Sequence, residues 1–205
     1  MNLFQQLMEK PWLTEASEVV ELRDGRTFAM AREKLGLRVF LVVAMVVFSL
    51  FAAAYVERMV FSDWNSIPIP WLLWLNTLVL VLSSVAMHRA WGSARRGRIE
   101  GVRLGLYAGG AFALLFLAGQ LLSWRGLVAM GYYADANPAN AFFYLLTALH
   151  GIHLGGGLVA WVRTMVKVRR GDGVPQMRLS IELCTVYWHF LLLIWLVLFA
   201  LMLLT

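Results

Sequence analysis

The sequence predicts an all-α integral membrane protein, a bundle of five transmembrane helices. Three observations predict it. Of 205 residues, 60% are hydrophobic and nine are Trp, and the mean hydropathy is +0.69, far above a soluble domain. Five apolar runs are long enough to cross about 30 Å of hydrocarbon at ~1.5 Å per residue. The basic residues collect on one side of those runs, as the positive-inside rule requires.

In chain order the spans fall at Gly36–Val56, Trp71–Met87, Leu104–Leu122, Ala141–Val162 and Leu183–Leu204, the second being the shortest. The outer connections, Glu57–Pro70 and Ser123–Asn140, are too short for an ectodomain. The inner ones, "RAWGSARRGR" and "RRGDGVPQMR", are basic turns. Residues 1–35 form a tail of mixed charge without the apolar core of a secretory signal, and residues 36–205 form the transmembrane domain. Any function therefore lives in the bundle.

Sixteen of the eighteen Lys and Arg residues precede the first span or lie between spans two and three or four and five; only Arg58 and Arg125 lie on the other side. This places the N-terminus in the cytoplasm and the C-terminus outside. It also assigns the net charge of +6 to topology and anionic headgroups, and removes nucleic acid as a partner. The single Cys184 excludes an internal disulfide.

Titratable groups inside the spans are the candidate functional residues, because a polar group held in hydrocarbon is costly. His150 lies roughly 14 Å into the fourth span and His153 one turn deeper. With Gly157 they share one helix face. Glu182, Thr185 and His189 form a similar stripe on the fifth span, His189 about 10 Å inside. Antiparallel packing would bring His153 and His189 to one depth, in a polar cluster between the last two helices. Three uses compete: a bis-histidine haem held by His150 and His189, a proton or ion path, and hydrogen bonds that fix helix contacts or hold lipid. The third is favoured by small-residue spacings, Gly151 and Gly155 in the fourth span and Gly105, Gly109 and Ala113 in the third. Trp12, Trp71, Trp74, Trp91, Trp124, Trp161 and Trp188 read as an aromatic belt at the interfaces.

The segments "FFYLLTALHGIHLGGGL" and "IELCTVYWHFLLLIW" resemble subunit III of the haem-copper oxidases, where a His-Gly-x-His helix precedes one carrying Glu and then Tyr-Trp-His-Phe. "KLGLRVFL", "FAAAYV" and "LNTLVLVLSS" resemble the first two helices of its five-span members. The resemblance runs from Lys34 to the C-terminus and agrees with the charge-derived topology.

It implies an accessory subunit of a respiratory terminal oxidase of the cytochrome c oxidase type, in a bacterial cytoplasmic membrane. Such a subunit has no redox centre of its own. It packs on catalytic subunit I, which carries haem and copper, beside other oxidase subunits and within a respiratory supercomplex. It holds phospholipids in a cleft that splits the bundle into its first two and last three helices, and it supports sustained proton uptake and turnover. His150, His153, Glu182, Trp188 and His189 fall on family motif positions with structural, lipid-associated roles. Arg38 and Arg96 are expected to hold headgroups, with Ala44, Ala52–Ala54, Trp71 and Trp74 along the acyl chains. The family's usual acids are replaced by Ala44, Ser123 and Leu192, which weakens a proton-collecting role. The alternatives are a bis-His membrane cytochrome b, an accessory subunit of a nitric oxide reductase-like complex, and a stand-alone transporter.

Overall fold

Apolar runs that long have one economical conformation in lipid, the helix, because it satisfies every backbone polar group internally. The computed structural model describes residues 25–171 and 174–204, and five helices carry those residues: α1 Gly25–Arg58, α2 Trp71–Arg95, α3 Ile99–Ala129, α4 Pro138–Arg170 and α5 Val174–Leu203. All five are long and apolar enough to cross a membrane. The reading of residues 1–35 as a tail falls largely outside the described residues. Arg38 closes one compact unit of the chain and Val39 opens the other; the packing below is that of the second.

Each predicted span lies within one helix, the last to within a residue. The second was read short. Its helix runs on from Met87 to Arg95, because His88, Arg89 and Ser93 lower hydropathy without disturbing the backbone. Local chemistry sets the ends. Arg96, Gly97 and Arg98 turn the chain between α2 and α3, with Gly97 at φ 71° and the Arg98 N–H donating to Ser93 O at 3.0 Å. That is the left-handed closure which glycine accommodates without a Cβ clash. Asn137 caps α4 by accepting from Ala139 N at 3.0 Å, with Pro138 in the first turn.

Helix contacts follow the small residues. Gly101, Gly105 and Gly109 recur every four positions and form the seam of α3 against α2. A Cβ on Gly105 would stand 2.8 Å from the Ala86 carbonyl oxygen and from Ala90, and one on Gly109 would stand 2.7 Å from Met87 Sδ. Ala113 continues the seam, fully buried. The other predicted pair does not pack this way. A Cβ on Gly155 would meet nothing within 4 Å, and one on Gly151 only Leu117 at 3.8 Å. The glycine of α4 that meets a neighbour is Gly157, against Tyr187 and Trp188 of α5.

Inside the bundle the closest approaches follow the same small residues. The α3 seam draws α2 into close contact with α3, and α2 also packs on α5. The Val39–Arg58 part of α1 packs more loosely. From Val39 onward it reaches its neighbours through side chains, with Phe48 5.1 Å from the His153 ring and Tyr55 5.6 Å from Phe142. Its inner stripe is Ala44, Phe48 and Tyr55, all buried, while Val42, Val43, Val46 and Leu50 are exposed. Trp74 packs edge-on against Phe199 of α5.

Candidate functional site

An apolar helix with scattered Ser, Thr and Asn has to place each polar group against a partner, and α2 does so mostly on α5. The Trp188 indole N–H donates to Ser83 Oγ at 2.8 Å, and Ser83 donates onward to Gly109 O of α3 at 2.7 Å. About two turns away in the same interface, Trp195 Nε1 donates to Thr77 Oγ1 at 2.9 Å. The Thr185 hydroxyl lies within reach of Ile181 O at 2.8 Å and Met87 O at 3.2 Å. Ser84 Oγ and His189 Nδ1 stand 2.6 Å apart. Four side chains of α5 thus engage α2.

The other interfaces carry fewer links of the same kind. Trp161 of α4 lies over Gly110 and donates to Leu106 O at 2.8 Å. Trp124 Nε1 donates to Thr147 Oγ1 at 3.1 Å. Between α4 and α5, Tyr187 OH donates to His153 O at 2.8 Å, and His150 Nε2 lies 3.1 Å from Leu191 O. Since that oxygen can only accept, Nε2 carries the proton and Nδ1 is a bare acceptor. His150 Nδ1, both Gln120 side-chain atoms and Asn76 Nδ2 are buried without a hydrogen-bond partner.

The single cluster expected between α4 and α5 resolves into separate places. His153 Nδ1 bonds Leu149 O of its own helix at 2.8 Å, and its ring faces Phe40 and Phe48. His189 points to α2, where its Nε2 lies 3.4 Å from His88 Nδ1. His150 sits between Phe116 and Trp195. The α5 positions it engages, Leu191 and Trp195, stand roughly 160° and 120° around the helix from His189, so the two imidazoles do not face one space as a bis-histidine haem requires. Among the described residues no three His, Cys, Asp or Glu side chains gather as a metal set.

Glu182 is half-buried near the basic end of α5. Trp188 is fully buried and belongs to the core, not to the aromatic belt. Trp71, 74% exposed, fits the belt, and Trp12 lies outside the described residues. Arg38 and Arg96 are both exposed. Ala44 and Ser123, two of the three positions where acids were expected, are buried. Sequence reasoning gave no role to Ser83, Ser84, Thr77, Gln120 or Trp195. The signal available for the first two was a pair of hydroxyls inside "LVLVLSSVAM".

Fold and seam together define a multi-pass helical membrane protein in which buried Ser, Thr, Trp and His side chains tie helix to helix. The family model described as cytochrome c oxidase subunit III matches residues 7–204, and the chain belongs to that family. It is 30% identical to the cytochrome c oxidase subunit 3 of Thermostichus vulcanus over 173 residues, 82% of this chain and 85% of that one. It is 31% identical to that of Synechocystis sp. over 172 residues, 81% and 72% of the two chains. The probable cytochrome c oxidase subunit 3 of Mycobacterium tuberculosis is 32% identical over 124 residues, 60% of this chain, and the match spans only 61% of that relative's length.

Proposed function

We propose that this chain is the accessory subunit III of a bacterial respiratory haem-copper oxidase. It packs on the catalytic subunit that carries haem and copper, holds phospholipids and sustains proton uptake during turnover. The N-terminus and the 1–35 tail lie in the cytoplasm. His150, His153, Glu182, Trp188 and His189 serve this architecture, and Arg38 and Arg96 face headgroups.

The observation that carries the proposal is where the buried polarity goes. Ser83, Thr77, Trp188, Trp195 and Trp161 all link one helix to another, as a scaffold needs. With Ala44 and Ser123 in place of acids, the chain supports proton uptake through packing and lipid, not through carboxylates of its own at those positions.

The test is to purify the oxidase with and without this chain and follow oxygen consumption over many turnovers, quantifying bound lipid. The expected result is an unchanged haem spectrum and initial rate, with less lipid and earlier inactivation in the stripped complex. An immediate loss of initial rate from a spectrally normal catalytic subunit would overturn it.

A further inference from the structure

The glycine seam between α2 and α3 brings two backbones together while the larger side chains on either side stand away from it. The result is a half-open groove of about 700 Å³ on the outer surface of this helix pair. Its floor is Ala86, Gly101 and Gly105, and its walls are Leu82, Val85, Leu104, Ala108 and Phe112. Leu104 is 73% exposed and Leu82 and Val85 are exposed with it, although all three are aliphatic.

At one end the character changes. Arg89, Arg96 and Arg98 line the mouth, all of them exposed. Among the described residues none of the three has an acidic partner. The amino end of α3 lies at the same mouth through Gly101. The first amide to bond back along that helix is Val102, to Arg98 O at 3.2 Å, so the open N–H groups before it add positive potential there. One acid is near: Glu100 lines the adjoining hollow with Arg98, and three guanidiniums outweigh it.

The dimensions match one leaflet. Fourteen positions separate Arg96 from Leu82 and Arg98 from Phe112, roughly 21 Å along each helix. Half of a hydrocarbon core is about 15 Å, and the headgroup layer supplies the remainder. The groove is thus basic at headgroup depth, apolar below and closed near the midplane.

We infer that this groove is a binding site for an anionic phospholipid, its phosphate held by Arg89, Arg96 and Arg98 and one acyl chain lying on Ala86 and Gly105. The inference rests on the lipid-holding reading above and gives it a place, on the α2–α3 surface and not beside α1.

The test uses the intact oxidase in nanodiscs containing phosphatidylglycerol and phosphatidylcholine, each with a photoactivatable acyl chain. Phosphatidylglycerol should label groove residues such as Leu104 and Phe112 in preference to phosphatidylcholine. Arg96→Gln with Arg98→Gln should cut that preference by roughly thirtyfold, at about 1 kcal/mol per basic residue. Arg95 and Arg103 keep the loop basic in this variant. Ala108→Trp, which fills the groove, should abolish labelling by both lipids. Inorganic phosphate at millimolar concentration should leave labelling unchanged, and displacement by it would mean that the site takes phosphate and not lipid. If the complex keeps bound lipid but the groove residues are never labelled, this site is wrong and the general lipid role stands. If the complex keeps no lipid at all, both are wrong.

Discussion

Trp188 and Ser83 are joined in the buried core, the indole N–H of α5 donating to the hydroxyl of α2 at 2.8 Å. Ser83 passes its own proton to the Gly109 carbonyl of α3 at 2.7 Å. One hydroxyl thereby connects three helices, and both side chains are fully buried.

Ser83→Ala strands the Trp188 N–H in an apolar setting. Truncation should cost about 1–2 kcal/mol in a reversible detergent-unfolding titration. A double-mutant cycle with Trp188→Phe should give a coupling of about 0.5–1.5 kcal/mol. Coupling indistinguishable from zero would mean that the two side chains are independent.

Glycines of identical spacing should behave oppositely. Gly105→Ala forces a methyl into the Ala86 backbone and should destabilise by about 1–3 kcal/mol. Gly155→Ala enters open space and should be neutral, or stabilising by up to about 1 kcal/mol through helix propensity. The same titration decides, and equal losses at both positions would contradict the seam.

The membrane-spanning helices were legible because run length alone decides them, and Gly105 with Gly109 was legible as a contact. Spacing could not say that Gly155 faces open space and that Gly151 has only Leu117 of α3 nearby, since the direction of a helix face depends on partners elsewhere in the chain. Trp188 was misread for the same reason. Six positions from Glu182 it looks interfacial, yet the Ser83 hydroxyl and the gap over Gly157 make the interior its better place. A serine in an apolar run gives no hint of a tryptophan 105 positions later.

Gln120 offers a different kind of test. Its amide is buried with neither atom partnered, so the folded state already bears its desolvation. Gln120→Leu keeps the volume and removes that burden, and should leave stability unchanged or raise it. A loss above about 2 kcal/mol would show that the amide is engaged after all.

In the loop after α1, Arg58 donates to Asp63 at 2.8 Å. This hydrogen bond holds the Asp63 carboxyl below the usual carboxylate range. The folded value is the lower one, so the pair's contribution is complete above the ordinary Asp pKa of about 3.9 and disappears as pH falls through the lowered value. The Tm difference between wild type and Asp63→Asn should be present at neutral pH, shrink toward zero in acid and weaken in high salt. A difference independent of pH would exclude the pair as its source.

Topology can be read with thiol labelling, because the native Cys184 is buried. A cysteine replacing Asp135 should react with an impermeant reagent from outside, and one replacing Arg96 should not. The reverse pattern would invert the chain in the membrane.

The short Arg96–Arg98 turn gives α2 its nearest neighbour in α3 almost as soon as both have left the ribosome, whereas its links to α5 wait for about sixty further residues. During that interval the Ser83 hydroxyl can donate to Gly109 O of α3 and the Thr77 hydroxyl to Leu73 O of its own helix, the bonds both keep in the fold at 2.7 and 2.8 Å. Arrival of the last helix then adds the Trp188 and Trp195 N–H groups as donors to hydroxyls whose own protons are already placed. Without α5 the α2–α3 seam would keep its glycine contacts, but the Ser83 and Thr77 oxygens would lack the indole donors that they accept from in the finished fold.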